Sequence, residues 1–399
     1  MKNKLLQVLF IAVALTVFIQ ESSAIPSFAR KYGISCTTCH SPAAPSLKPY
    51  GDDFAGNGFR LAEEQAPRYF METGDTKLSL LRQLPFAIRL DGFATYNFDG
   101  SGNTDFAAPY GLKLISGGEI SNKLSYYFYF FMSEKGEVAG LEDAFLMYND
   151  LFDIDLDIYL GQFQVSDPLF KRELRLSLED YHVYGSQIGI SNIDMKYDKG
   201  LMVTLGLPSG TGITVEVVNG NGIGEAQGGL FDKDQYKNVM GHLSQDIGDV
   251  ISLGAFAYTG KENLRHNTET DITNEVLMWG PDLSITPNDK WKLNAQYLMR
   301  EDLNVYRNME TANSMQNVGT QSAMAELIFS PQGDKSDWYL LGLYNWTESD
   351  FAAANYHSAS FHAGYLLNRN IRLAAEYTLD FTDTNNPVNR FSLGFVAAF

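Results

Sequence analysis

From about Leu84 to its last residue the chain alternates apolar and polar side chains with period two. Phe86, Ile88, Leu90, Gly92, Ala94 and Tyr96 alternate with Ala87, Arg89, Asp91, Phe93, Thr95 and Asn97. The same holds for Leu124–Ser133, Ile154–Gly161, Trp291–Arg300 and Ile371–Asp380. Period two puts successive side chains on opposite faces of a strand, so each segment has one apolar and one mostly polar face. Two folds use such strands: a soluble sandwich and a transmembrane β-barrel. Three features favour the barrel, namely the number of segments, the aromatics near their ends, and the closing stretch Phe391-Ser392-Leu393-Gly394-Phe395-Val396-Ala397-Ala398-Phe399. It alternates and stops on an aromatic, as the last strand of bacterial outer-membrane proteins does.

Strands are expected at 84–98, 108–120, 123–133, 140–149, 154–165, 193–207, 211–220, 236–246, 250–260, 271–285, 290–302, 319–331, 337–348, 356–367, 371–382 and 389–399. That makes an all-β transmembrane barrel of about 16 antiparallel strands, an even number with both termini on the periplasmic side. Short connections fall at Ser121-Asn122, Asn149-Asp150, Pro208-Ser209-Gly210, Pro287-Asn288-Asp289 and Asn368-Arg369-Asn370. Long ones, expected outside the cell, fall at 166–192, 221–235, 261–270 and 303–318. A barrel this wide is expected to have an open lumen.

Ahead of the barrel stands Cys36-Thr37-Thr38-Cys39-His40, which contains the chain's only two cysteines. This is the attachment signature of c-type haem: both thiols form thioethers and the adjacent imidazole becomes the proximal iron ligand. A disulfide gives no reason for the histidine. A redox Cys-x-x-Cys is expected near a βαβ pattern, and a zinc site needs two more ligands nearby; neither is seen. Residues 1–24 read as a secretory signal, with Lys2 and Lys4, an apolar run from Leu5 to Ile19, and the small residues Ser22-Ser23-Ala24. Export is also where c-type haem is attached.

Residues 25–80 are therefore expected to form a small haem segment and 84–399 the barrel. Phe28, Tyr32, Ile34, Leu47, Tyr50, Phe54 and Phe59 supply enough apolar surface to wrap one haem c, and too little for an independent core. Met71, the only methionine between the motif and Met132, is a candidate sixth ligand to the iron or an apolar filler. Lys48 and Arg60 are candidate propionate partners or solvated surface charges. Removing the signal takes away Lys2, Lys4 and Glu21, so the formal charge moves from −18 to −19. Such acidity excludes nucleic acid as a partner and favours cations.

The stretch Pro26-x-Phe28-Ala29-Arg30 through Cys36-x-x-Cys39-His40 to Tyr50-Gly51-x-x-Phe54 and Gly58-Phe59 resembles the fused cytochrome–porin family, which includes outer-membrane iron oxidases. Leu160-Gly161-Gln162-Phe163 and Val217-Val218-Asn219-Gly220-Asn221-Gly222 look like strands of phosphate-selective porins. The resemblance implies Cys36 and Cys39 as attachment points and His40 as axial ligand, in the outer membrane of a Gram-negative bacterium. The function expected is electron transfer across that membrane, from extracellular Fe(II) to a periplasmic electron carrier. The protein would then be an iron-oxidising oxidoreductase surrounded by outer-membrane lipid. Two alternatives stand beside it: a diffusion porin with a haem plug or sensor, and an outward conduit to an extracellular acceptor. An anion porin would want a basic lumen. Here Arg89, Lys196, Lys292, Arg300 and Arg372 are outnumbered by Asp91, Asp155, Asp157, Asp194, Asp198, Glu216, Glu326, Glu376 and Asp380. Asp99, Asp105, Glu262 and Glu269 fall in expected external loops, too scattered to assign a catalytic residue.

Overall fold

The computed structural model describes residues 27–41, 45–61, 71, 73–75, 77–82, 84–98, 103–138, 140–224, 226, 228–232, 234–266, 270–306 and 315–399. The secretory signal, Asp99 and Glu269 lie outside these. Sixteen antiparallel strands close into one barrel, each beside its sequence neighbours. They are β1 (Phe86–Asn97), β2 (Thr104–Ser121), β3 (Leu124–Glu134), β4 (Gly140–Tyr148), β5 (Leu156–Gln164), β6 (Tyr197–Leu207), β7 (Thr211–Val218) and β8 (Asn238–Ile247). The second half is β9 (Ile251–His266), β10 (Thr270–Asn288), β11 (Trp291–Tyr306), β12 (Met315–Phe329), β13 (Trp338–Ser349), β14 (Tyr356–Asn368), β15 (Ile371–Asp380) and β16 (Val388–Ala398).

The alternation resolves into a lipid face and a lumen face. Leu160, Leu243, Phe361 and Leu393 point outward and are more than half exposed, while Asp157, Asn294, Arg300 and Glu376 point inward and are buried. Closure pairs every strand on both edges, which lets backbone cross hydrocarbon without orphaned amides. Trp291, Phe329 and Trp338 cluster at the end of the short turns, with Trp291 and Phe329 rings 4.3 Å apart, as an interfacial girdle does.

β1 meets β16 at the seam, from Arg89 opposite Ala398 to Asn97 opposite Arg390. The terminal Phe399 extends it: its N–H donates to the Ile88 carbonyl at 2.8 Å, and the Ile88 N–H donates to the Phe399 carbonyl at 2.7 Å. Deleting Phe399 removes both bonds, each worth about 1 kcal/mol, from the last step of closure. The expected result is less of the fast-migrating unheated form on gels of outer membranes. Wild-type amounts of that form would contradict the seam role.

Two regions differ from expectation. The described residues of the stretches 261–270 and 303–318 are strand, and β9 and β10 stay paired up to His266 opposite Thr270. Beyond the bilayer both faces of a strand are wet, so the ladder runs on where the apolar signal has stopped. The connection between β5 and β6, expected outside, folds into the lumen. Val165, Leu176, Tyr181, Val183, Tyr184, Ile193 and Met195 are almost fully buried and join one apolar cluster with Met202, Met240, Tyr258, Met278, Met324 and Tyr339 of the wall. Seven such side chains would be unfavourable in water, and the lumen is where they are covered.

Polar groups anchor the insertion. The Leu178 and Glu179 N–H groups donate to Glu376 at 2.7 and 2.9 Å, and the Tyr181 hydroxyl donates to Glu326 at 2.8 Å. Arg300 holds Asp302 through two bonds of 2.7 and 2.9 Å and donates to the Ile193 carbonyl at 2.7 Å. Glu262, expected in an external loop, lies in β9 and accepts the Asn192 N–H at 2.9 Å. The lumen is therefore packed where the insertion crosses it.

Candidate functional site

Among the described residues before the barrel are three short helices, α1 (Ser27–Tyr32), α2 (Cys36–Cys39) and α3 (Pro49–Gly56). Ser35 caps α2: it is extended, and its hydroxyl accepts the Thr37 N–H at 3.3 Å. One turn of helix puts Cys36 and Cys39 on the same side, because positions i and i+3 are neighbours on a helix surface. The chain then leaves in an extended conformation at His40, whose N–H still donates to the Cys36 carbonyl at 2.8 Å. α3 packs directly on this turn. A side chain at Gly51 would come within 2.2 Å of the Cys39 carbonyl oxygen, so only glycine fits there.

This segment sits in the barrel mouth at the end of the short turns. Lys48 bonds Asp334 of the β12–β13 turn at 2.7 Å. Arg60 bonds the Asn122 carbonyl at 2.6 Å and Asp150 at 2.8 Å, reaching the β2–β3 and β4–β5 turns. Lys48 and Arg60, read from sequence as candidate propionate partners or solvated surface charges, fasten the segment to the wall. Phe59 stacks between Phe28 at 4.8 Å and Tyr127 of β3 at 5.2 Å. Gly58 has φ near +64°, and a side chain there would meet the Ser125 and Asn149 side chains at 2.1 and 2.4 Å. Gly58→Val is therefore expected to undock the segment: limited proteolysis should cleave residues 27–60 while the barrel resists. Equal protection of both proteins would contradict this docking.

Between segment and wall lies a cavity of about 280 Å³. Cys36, Cys39 and His40 line it together with Phe28, Ile34, Leu47, Phe54 and Phe59 from the segment and Ile88, Ile115, Tyr127, Leu366, Ile371 and Val396 from the barrel. Its size is near the low end for small-molecule pockets, about 300 Å³, and its walls are mainly apolar. The sequence therefore brings its two thiols and its imidazole onto one apolar slot.

The chemistry of these groups suits a ligated macrocycle. His40 Nδ1 lies 3.0 Å from the Pro45 carbonyl oxygen. A carbonyl only accepts, so Nδ1 carries the proton and Nε2 keeps its lone pair, the arrangement of a metal-bound histidine. Burial lowers the pKa of His40 and keeps the ring neutral. The two cysteines are not disulfide-bonded. Burial raises the pKa of both thiols, the reverse of what an activated nucleophile or redox thiolate shows. The residues present thus fit a covalent c-type haem.

The structure does not bring Met71 to this cavity. It is 51% exposed, and its N–H donates to the Leu80 carbonyl at 2.8 Å. Among the described residues lining the cavity there is no methionine and no histidine besides His40. Tyr50 is also exposed, away from the apolar set it was grouped with. Of the cations of the lining, sequence reasoning named Arg89 and Arg372 among the polar-face charges and missed Lys171 and Arg369. Arg369 had one signal: it occupies the short turn Asn368-Arg369-Asn370, at the end where the segment docks.

No protein-family model and no curated protein matches the chain by sequence. Solved structures do match by shape. A loop-deletion mutant of the outer-membrane protein OmpT of Vibrio cholerae has a TM-score of 0.56 at 12% identity, covering 79% of this chain and 99% of that one. The anion-selective porin of Comamonas acidovorans gives 0.55 at 11% identity, with 79% and 99% covered. The outer-membrane channel DcaP of Acinetobacter baumannii gives 0.54 at 15% identity, with 79% and 97% covered. The fold is that of a sixteen-stranded outer-membrane porin. In this porin fold the short turns mark the periplasmic end, which places the segment and its cavity at the periplasmic mouth. The inserted β5–β6 connection roofs the cavity with Lys171, Glu173 and Leu174.

Proposed function

We propose that the chain is an outer-membrane electron conduit, in which a covalent c-type haem at the periplasmic mouth passes single electrons between an external donor, extracellular Fe(II), and a periplasmic carrier. The observation that carries this is the convergence of Cys36, Cys39 and the Nε2-available His40 on one apolar cavity. The group supplies one-electron chemistry when bound. The protein's residues do the rest. Cys36 and Cys39 tether, and His40 is fixed by its bond to Pro45. Phe28, Phe54 and Phe59 exclude water, and the barrel carries the assembly through a hydrocarbon layer about 30 Å thick. In one turnover an external ferrous ion loses one electron and leaves as ferric ion, and a periplasmic carrier gains that electron. The acidic chain favours a cationic donor.

The test uses proteoliposomes with an oxidised soluble cytochrome inside and a ferrous salt outside. Reduction of the trapped cytochrome, slowing as ionic strength rises because charges are screened over about 8 Å at physiological salt, supports the conduit. Electron flow only from inside to an external acceptor would make it an outward conduit.

The second reading, a diffusion porin with a haem plug or sensor, is favoured by the porin neighbours, one of them described as anion-selective. It requires solute passage through a lumen that the β5–β6 insertion fills with side chains. Swelling of liposomes in small sugars without electron flow would establish it.

A further inference from the structure

A second cavity lies directly outward of the first, and the two share Arg89, Glu173, Arg372 and Val396. The order along the strands fixes this stacking. β1 contributes Ala87, Ile88 and Arg89 to the inner cavity, then Arg89, Asp91 and Phe93 to the outer one. β3 runs the same way, from Tyr127 and Tyr129 to Phe131 and Glu134. The inner cavity is mainly apolar, whereas the outer chamber, of about 40 Å³, is ringed by Arg89, Lys113, Arg175 and Arg372.

The facing charges leave part of this ring uncompensated. Asp91 is taken up by Arg89, through two contacts of 2.9 Å. Glu173 lies 3.6 Å from Lys171. Arg175 pairs with Asp180 at 3.6 Å and donates to the Arg172 carbonyl at 3.0 Å, while its buried Nε has no hydrogen-bond partner among the described residues. Lys113 holds no ion pair among the described residues; its ammonium lies over the rings of Tyr129 and Phe131, 5.1 and 4.2 Å from their centroids. A buried cation without an anion is costly. Lys113 is one, and with the open Nε of Arg175 it stands at the open end of an apolar slot.

Resting on the covalent-haem reading above, we propose that this chamber seats the haem propionates. The cofactor then stands with its thioether edge at α2 and its carboxylate edge toward the outer half of the barrel, and Lys113 and Arg175 are positioning residues for it. One amphipathic ligand accounts for both cavities: its apolar body fills the inner one and its two carboxylates meet the cations of the outer one. Arg and Lys serve differently, the guanidinium by paired bonds and the ammonium as a point charge.

The test compares Lys113→Met and Arg175→Gln with the wild type and with Lys261→Met, which removes an exposed charge at the outer end of β9. A cation beside the propionates favours the reduced, less positive haem. Both lumen variants should lower the reduced-to-oxidised ratio at fixed potential by about threefold to tenfold, tenfold being about 59 mV for one electron. The propionate bending band of the resonance Raman spectrum should shift with it, and Lys113→Arg should restore both. Lys261→Met should change neither. Haem-loaded variants with wild-type potential and band would overturn the proposal, as would a shifted potential with an unmoved band. Gel mobility of the unheated proteins confirms folding. A wild type without haem would instead overturn the reading on which the proposal rests.

Discussion

Replacing both Cys36 and Cys39 by alanine is expected to leave no haem on the denatured protein and to abolish electron flow across the membrane, while the barrel still assembles. On the proposed attachment the two thioethers would be the only bonds to survive denaturation, so haem staining on a denaturing gel should fall to background. In the folded protein His40 alone would hold the group, in a cavity whose outward side opens on the second chamber through Arg89, Glu173, Arg372 and Val396. The barrel closes through its own strand ladders, from β1 to β16 and back, with neither cysteine in any of them. The unheated double variant should therefore keep its fast gel migration. Undiminished haem in it would remove the cofactor assignment.

The second large effect concerns the β5–β6 insertion. Replacing residues 165–196 by a short glycine–serine turn should raise single-channel conductance in planar bilayers by more than about tenfold, because an unfilled barrel of this width encloses a water-filled lumen. β5 and β6 are hydrogen-bonded neighbours, from Leu156 opposite Leu205 to Gln164 opposite Tyr197, so a tight turn can join them. Without the insertion Glu262, Glu326 and Glu376 lose the donors it supplies and keep only those of the wall, among them Asn274, Asn294 and His362. A buried carboxylate with unmet acceptor oxygens is expensive, so water must follow. The wild type should conduct poorly. Equal conductance in the two proteins would show that the insertion does not occlude the lumen, and would favour the diffusion porin.

Much of the fold was legible because a β-barrel writes itself residue by residue. Leu160 against Asp157 and Tyr297 against Gln296 sort to lipid and lumen by period two alone, and each expected strand has a counterpart. The insertion was not legible in this way. Its apolar residues follow no period, and their partners are scattered from β4 to β13. One signal was present: a long connection carrying Leu176, Tyr181, Val183 and Tyr184 is too apolar for water. That Cys36, Cys39 and His40 line one cavity could be expected from their spacing, because they are nearly adjacent in the chain. Arg89, Lys113, Arg175 and Arg372 could not be grouped from sequence, since barrel closure brings β1, β2, β15 and the insertion together. Met71 shows the converse: it is exposed and absent from the cavity lining, so nearness in sequence did not become nearness in space.

The central claim, one covalent haem held by this barrel, is tested most directly by the intact mass of the protein purified from outer membranes and unfolded in acid. The mass predicted is that of the exported polypeptide plus one haem, with neither Cys36 nor Cys39 open to alkylation. A mass equal to the bare polypeptide, with both thiols alkylated, would contradict it.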